Sequence, residues 1–248
     1  MHPLLRVGRI IFAIALIADA GLQINIGQFI ICRPPEWPFS FGGSTIWAYV
    51  SAGIFIATAI VVIINNKFAR PLLLISGALI ILYTVCPFLR GTITDAFQAH
   101  FRTNEFKCLA MSGGMFMLAA SFSKEPMAGL VWTGRILLAL FFIIAGIQHF
   151  QFDKFVEDLI PAFIPAHAFW TYFAAIALIA GGIGVLVPST ARLAATLSGI
   201  MLFSWVFLVH IPLAINTHTV SEVSRGFQAL QDGAVAFMLA GVSRGRKP

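Results

Sequence analysis

Charge is scarce in this chain. Asp, Glu, Lys and Arg make up only 10% of 248 residues, against 59% hydrophobic residues and a mean hydropathy of +0.90. A soluble domain carries roughly a quarter charged residues, so this sequence cannot coat a water-facing surface and reads as an integral membrane protein. No segment alternates apolar and polar residues as a membrane β-strand must, which leaves helices. There is no basic run and no aromatic platform, so the excess of 16 Lys+Arg over 10 Asp+Glu does not point to nucleic acid; positively charged inner loops account for it. The three cysteines, Cys32, Cys86 and Cys108, form no CxxC and no metal-like cluster. They read as small buried hydrophobes, although all three fall at outer helix ends, where a Cys86–Cys108 disulfide is open. The first residues lack a small-x-small cleavage site and so read as an uncleaved first span.

What the chain has in abundance is apolar segments. Eight fall out, most near the ~20 residues that cross a bilayer. They cover about Leu5–Ile31, Gly43–Ile64, Pro71–Leu89, Phe106–Phe122, Gly129–Phe150, Ala166–Val187, Ala191–Ile211 and Phe227–Val242. With the amino terminus inside, ten basic residues lie on the inner side and six on the outer, and seven acids lie outside with only Glu125 inside. Both termini are therefore expected in the cytoplasm.

The segments repeat. Gly8-Arg9-Ile10 recurs as Gly134-Arg135-Ile136, Gly21-x-Gln23 as Gly146-x-Gln148, and Trp47-x-Tyr49 as Trp170-x-Tyr172. Ala69-Arg70 followed by Ser76-Gly77 matches Ala191-Arg192 followed by Ser198-Gly199, and Phe116-Met117-Leu118-Ala119 matches Phe237-Met238-Leu239-Ala240. Five matches in one order predict an all-α polytopic membrane protein with eight transmembrane helices as two tandem four-helix repeats, 1–123 and 129–248. Each copy has an even number of spans, so a pseudo-twofold along the membrane normal should relate them.

Several of these motifs carry a resemblance. The arginine-led first helix of the second half, Gly146-Ile147-Gln148-His149-Phe150, the loop with Phe155, Pro161 and Pro165, the Gly181-Gly182-Ile183-Gly184 run and Ala191-Arg192 resemble the DoxX family of four-span bacterial membrane proteins. Phe106-Lys107-x-Leu109-Ala110 and Gly113-Gly114 resemble that family's last helix. The resemblance implies a tandem duplication of the four-helix unit, a bacterial inner-membrane location and a redox neighbourhood, with a soluble redox enzyme as a candidate partner. It selects no substrate.

Polar residues gather at one depth. Counting ~1.5 Å per residue from Arg135 and Arg192 places His149 about 21 Å and His210 about 27 Å along their helices. Gln228 and Asp232 share one face, i and i+4, of the last helix. Gln148, His149, Phe150, His210, Gln228 and Asp232 therefore outline a pocket in the outer half of the second repeat. His149, His210 and Asp232 are the candidate catalytic groups, with Gln148, Gln228 and Phe150 as ligand contacts. A quinone headgroup suits such a site, since it needs donors at its carbonyls and a proton relay. A closed polar knot that fixes helix packing would use the same residues. Nothing else in the chain builds a haem pocket, and a metal site lacks ligands. In the first repeat Ile24, Phe88 and Met111 replace His149, His210 and Asp232, Gln23 aligns with Gln148, and Lys107 aligns with Gln228. Asp19, in the middle of the first helix, must pair with an inward-facing polar group or stay protonated. The loops Cys32–Gly43 and Gln151–Pro165 read as interfacial helices or lids. Three function classes follow: a redox-associated quinone-linked protein, a transporter or carrier of a small or lipidic substrate, and a non-catalytic assembly protein. The chain acts as a monomer of fused repeats or as a homo-oligomer.

Overall fold

A computed structural model describes residues 2–32, 43–88, 99–125 and 127–243. Among these residues the chain is helical, without a strand. The helices are α1 (Pro3–Ile26), α2 (Gly43–Ile63), α3 (Ala69–Phe88), α4 (Ala99–Ser121), α5 (Ala128–Gln151) and α6 (Asp153–Leu159). Then follow α7 (His167–Leu186), α8 (Ala191–Trp205), a π-helical turn (Val206–His210), α9 (Ile211–Thr217) and α10 (Val220–Val242). Local chemistry sets the ends. Pro3 stands in the first turn of α1, and the His2 ring accepts the Leu4 N–H at 3.2 Å. Gly27, at φ 64°, closes the helix by donating to the Gln23 and Ile24 carbonyls, a left-handed position that suits glycine. The first helix thus stops short of Ile31. Thr219 and Glu222 form the start of a capping box, and the Thr219 hydroxyl accepts the Glu222 N–H.

Among the described residues five helical runs are long and apolar enough to cross a membrane: α1, α2, α5, α7 and the continuous stretch Ala191–Thr217. By that measure five stand where eight were expected. In α3 the described side chains give an apolar run at Ala69–Leu82. The other two, α4 and α10, are too polar to qualify, and their position explains it. Residues of α10 are buried along nearly its whole length, and α4 is buried from Cys108 to Ala119 apart from two half-buried positions. A helix shielded by other helices can carry polar groups that a lipid-facing one cannot.

The helix contacts form two matching sets. The largest join α1 to α10 and α5 to α4; α1 also packs on α2 and α5 on α7, while α3 packs on α4 and α8 on α10. At the centre α4 and α10 touch each other. The repeated motifs sit at these contacts. A Cβ on Gly8 would lie 2.6 Å from the Ala234 carbonyl oxygen and 2.9 Å from Met238, and one on Gly134 would lie 2.5 Å from the Gly113 carbonyl oxygen and 2.9 Å from Met117. Gly77 faces the Phe116 ring in the same way that Gly199 faces the Phe237 ring. Small residues are what let membrane helices approach backbone to backbone.

Candidate functional site

Seven elements deliver side chains to one cavity of about 580 Å³. Helix α5 brings Gln148 and His149 in its last turn. The His149 Nδ1 lies 2.7 Å from the Ala145 carbonyl oxygen. A carbonyl only accepts, so Nδ1 carries the hydrogen and the neutral ring keeps Nε2 as an acceptor. The π turn brings His210. Pro212 has no N–H to return to the preceding turn, and the Ile211 N–H reaches back five residues to the Val206 carbonyl. Such single wide turns inside helices recur at functional sites. Helix α10 adds Arg225 and Asp232, α7 adds Trp170 and Thr171, and α4 adds Lys107. The remaining wall is mostly apolar, including Phe141, Leu178 and Met201. That size and composition are those of a small-molecule site.

Helix α6 forms one side of the cavity through Phe155, Val156 and Leu159. The Tyr172 hydroxyl of α7 latches it by donating to Asp153 Oδ2 at 2.7 Å. This bond, helped by the Lys154 backbone N–H, holds the Asp153 carboxyl below the usual carboxylate range. The Gln151–Pro165 loop therefore contains the expected short helix, set along one side of the cavity. The equivalent Cys32–Gly43 loop lies mainly outside the described residues.

The polar groups are not closed on one another. Among the described residues Lys107 and Asp232 lie within electrostatic reach of each other but make no direct salt bridge or hydrogen bond. Three wall residues each carry a buried polar atom without a hydrogen-bond partner: Thr171 Oγ1, Trp205 Nε1 and His210 Nδ1. Buried polar groups are paired in the great majority of cases, so these three leave the polar set around the cavity incomplete. Arg225 is already matched by an ion pair with Glu222. No group of three His, Cys, Asp or Glu side chains among the described residues could hold a metal ion.

The structure thus brings Gln148, His149, His210 and Asp232 onto one cavity and leaves two candidates out. Gln228 donates to Ser224 Oγ at 3.2 Å and faces a separate, smaller void. Phe150 is exposed and stacks on Tyr172 at 5.8 Å between ring centres. Sequence reasoning missed Lys107, Thr171, Trp205 and Arg225. A lysine inside an otherwise apolar helix was the available signal for the first, and Pro212 was the signal for the π turn. Cys108 is disulfide-bonded to Cys32, with Cα atoms 5.5 Å apart, which corrects the Cys86–Cys108 pairing. The bond ties the segment after α1 to α4 beside Lys107.

The matching position in the first half is closed. Gln23 donates to the Ala48 carbonyl at 2.7 Å and to Ser51 Oγ at 2.8 Å, and its oxygen accepts the Ile30 and Ile31 N–H groups at 3.0 and 3.1 Å.

A family model described as "Domain of unknown function (DUF8561)" matches residues 138–235. That stretch holds His149, His210 and Asp232 and excludes Lys107. No curated protein and no solved structure matches the chain.

Proposed function

We propose that the cavity binds a hydrophobic ligand with a carbonyl-bearing, quinone-type headgroup, and that the protein serves a redox system of the bacterial inner membrane. One observation carries the reading: an apolar-walled cavity with unpartnered polar groups on its wall. Trp205 Nε1 can only donate and the Thr171 hydroxyl can donate too, both without a partner, and Lys107 beside them makes no salt bridge with Asp232. They call for a ligand rich in acceptor oxygens. His149, its Nδ1 hydrogen engaged by Ala145, offers Nε2 to a hydroxyl such as a reduced headgroup presents. Asp232 and His210 complete a set able to take up and return protons, so His149, His210 and Asp232 are the candidate reactive groups.

The same proposal includes the finer architecture. The chain is read as two tandem DoxX-like units, 1–123 and 129–248, with eight crossings and both termini cytoplasmic. The equivalent contacts of Gly8 and Gly134, and of Gly77 and Gly199, support the duplication. Helices α4 and α10 have 23 residues each, enough to span at ~1.5 Å per residue while shielded from lipid.

The test uses fluorescence. Trp170 and Trp205 stand edge to face at 5.9 Å on the cavity wall, so a bound quinone should quench them saturably in the purified protein. Ubiquinone and menaquinone analogues are titrated against wild type, His149→Ala, Asp232→Asn and Trp170→Phe/Trp205→Phe. The double tryptophan variant should lose the saturable quenching, and the first two should weaken binding. Quenching that never saturates, or affinity unchanged in both His149→Ala and Asp232→Asn, would discard the proposal.

A further inference from the structure

Asp19 has no part in the cavity, yet it is fully buried at 0% exposure in the middle of α1. Its Oδ1 accepts the Ser224 hydroxyl at 2.8 Å, and Ser224 in turn accepts from Gln228 Nε2 at 3.2 Å. The other oxygen, Oδ2, has no hydrogen-bond partner, and neither has either polar atom of Gln231, which is 1% exposed. These groups surround a void of about 10 Å³ between α1, α4 and α10, lined also by Lys107, Gln228 and Asp232. A space of that size with several polar walls fits one water molecule. Lys107 and Asp232 line both this void and the large cavity.

The charges around Asp19 decide its state. Helix α2, packed on α1, carries no ionisable side chain but Tyr49. Helix α4 offers Glu105 and Lys107, the latter with Asp232 as its electrostatic neighbour, and α10 offers Arg225, which is bound to Glu222. His149 and His210 lie across the larger cavity. Among the described side chains no cation is left for Asp19, and an isolated carboxylate in an apolar bundle is neutralised instead.

We infer that this void is a proton-storage site: Asp19 carries an exchangeable proton, and one water molecule passes it to Asp232 on the cavity wall when that carboxyl, facing Lys107, is ionised. The transfer breaks the Asp19 O–H bond and forms one on Asp232. The carboxylate left on Asp19 keeps the Ser224 hydroxyl as its donor. What the proton is used for rests on the quinone-type reading; its storage does not.

The experiment needs no quinone. Infrared spectra of the purified full chain at neutral pH, in H₂O and D₂O, are compared for the carbonyl stretch of a protonated carboxylic acid. Wild type should show such a band, sensitive to deuterium. Asp19→Asn should abolish it, Ser224→Ala should shift it, and Asp232→Asn should shift it through the shared water. Lys107→Met should add a second acid band, from an Asp232 that has lost its cation. Absence of the band in wild type, its survival in Asp19→Asn, or its indifference to Asp232→Asn would overturn the proposal. So would the lack of a second band in Lys107→Met. If Asp19→Asn does not fold, the Ser224→Ala shift assigns the band instead.

Discussion

Gly134 and Gly21 offer a direct comparison of crowding with helix propensity. Both are helical glycines of repeated motifs, yet a Cβ on Gly134 would lie 2.5 Å from the Gly113 carbonyl oxygen, while one on Gly21 meets nothing within 4 Å. Replacement by alanine gains about 0.8–1.0 kcal/mol of helix propensity at either site in water. At Gly134 the methyl group must also be accommodated. Ordinary contact begins near 3.4 Å, so α5 and α4 have to separate by most of an ångström, against backbone rather than a side chain that could swing away. Forcing an extra methyl group into a packed interface costs about 1–3 kcal/mol. Gly134→Ala is therefore expected to be about 1–3 kcal/mol less stable than Gly21→Ala, the propensity gain being common to both. Gly8→Ala should behave like Gly134→Ala, because its Cβ would meet Ala234 and Met238 of α10 just as closely. The assay is unfolding in mixed micelles by added denaturing detergent, followed by helical circular dichroism. Equal stability of Gly134→Ala and Gly21→Ala, to within about half a kcal/mol, would refute the claim that these glycines set the spacing between the exchanged helices.

Three further outcomes are accessible. Tyr172→Phe should raise the Asp153 carboxyl pKa back toward its ordinary value, read by carboxyl NMR titration, because the Tyr172 hydroxyl is the first cause of its depression. With the latch intact the folded-state pKa is the lower one. Its contribution is therefore present above the unfolded value and disappears as pH falls through the folded value, and the lid should loosen only in acid. Pro212→Ala restores an N–H and allows the π turn to revert to α geometry, which would rotate His210 by about 100° relative to α8; quinone-analogue affinity should fall while the circular dichroism is kept. Non-reducing digestion should yield a Cys32–Cys108 peptide, and recovery of a Cys86–Cys108 peptide would contradict the observed pairing.

Depth was legible from the sequence because a helix rises by a fixed step: counting from Arg135 and Arg192 sufficed to put His149 and His210 at one level. Direction was less so. Gln228 and Asp232 are four residues apart, and that spacing advances about 40° around a helix beyond a full turn. On a surface helix both would share a face. In α10, enclosed by α1, α4 and α8, that angle separates Gln228 on the small void from Asp232, which borders both spaces. Hydropathy scores α4 and α10 as if lipid surrounded them, whereas these two are packed among other helices. The pairing of Cys108 with Cys32 was unreadable, because it depends on how the chain after Gly27 folds back over α4.

The bonding of Gln23 bears on why the two halves differ. On the two-unit reading Gln23 and Gln148 are equivalent, and Gln23 spends all its hydrogen-bonding capacity on the segment after α1 and on α2. That fills the first half at the position where Gln148 lines the cavity of the second. The disulfide of Cys32 pins the same segment against α4, immediately beside Lys107, the cation that the second half's cavity borrows. The first unit is thus more than an inert copy. Its helix α4 is exchanged onto α5, and through that exchange it supplies the ammonium facing Asp232, while its helix α1 supplies Asp19 behind it. A second half expressed alone would retain His149, His210 and Asp232 but lose both Lys107 and Asp19. It should be unable to keep Asp232 ionised even if its helices formed, and adding back the first half as a separate chain should restore what it lacks.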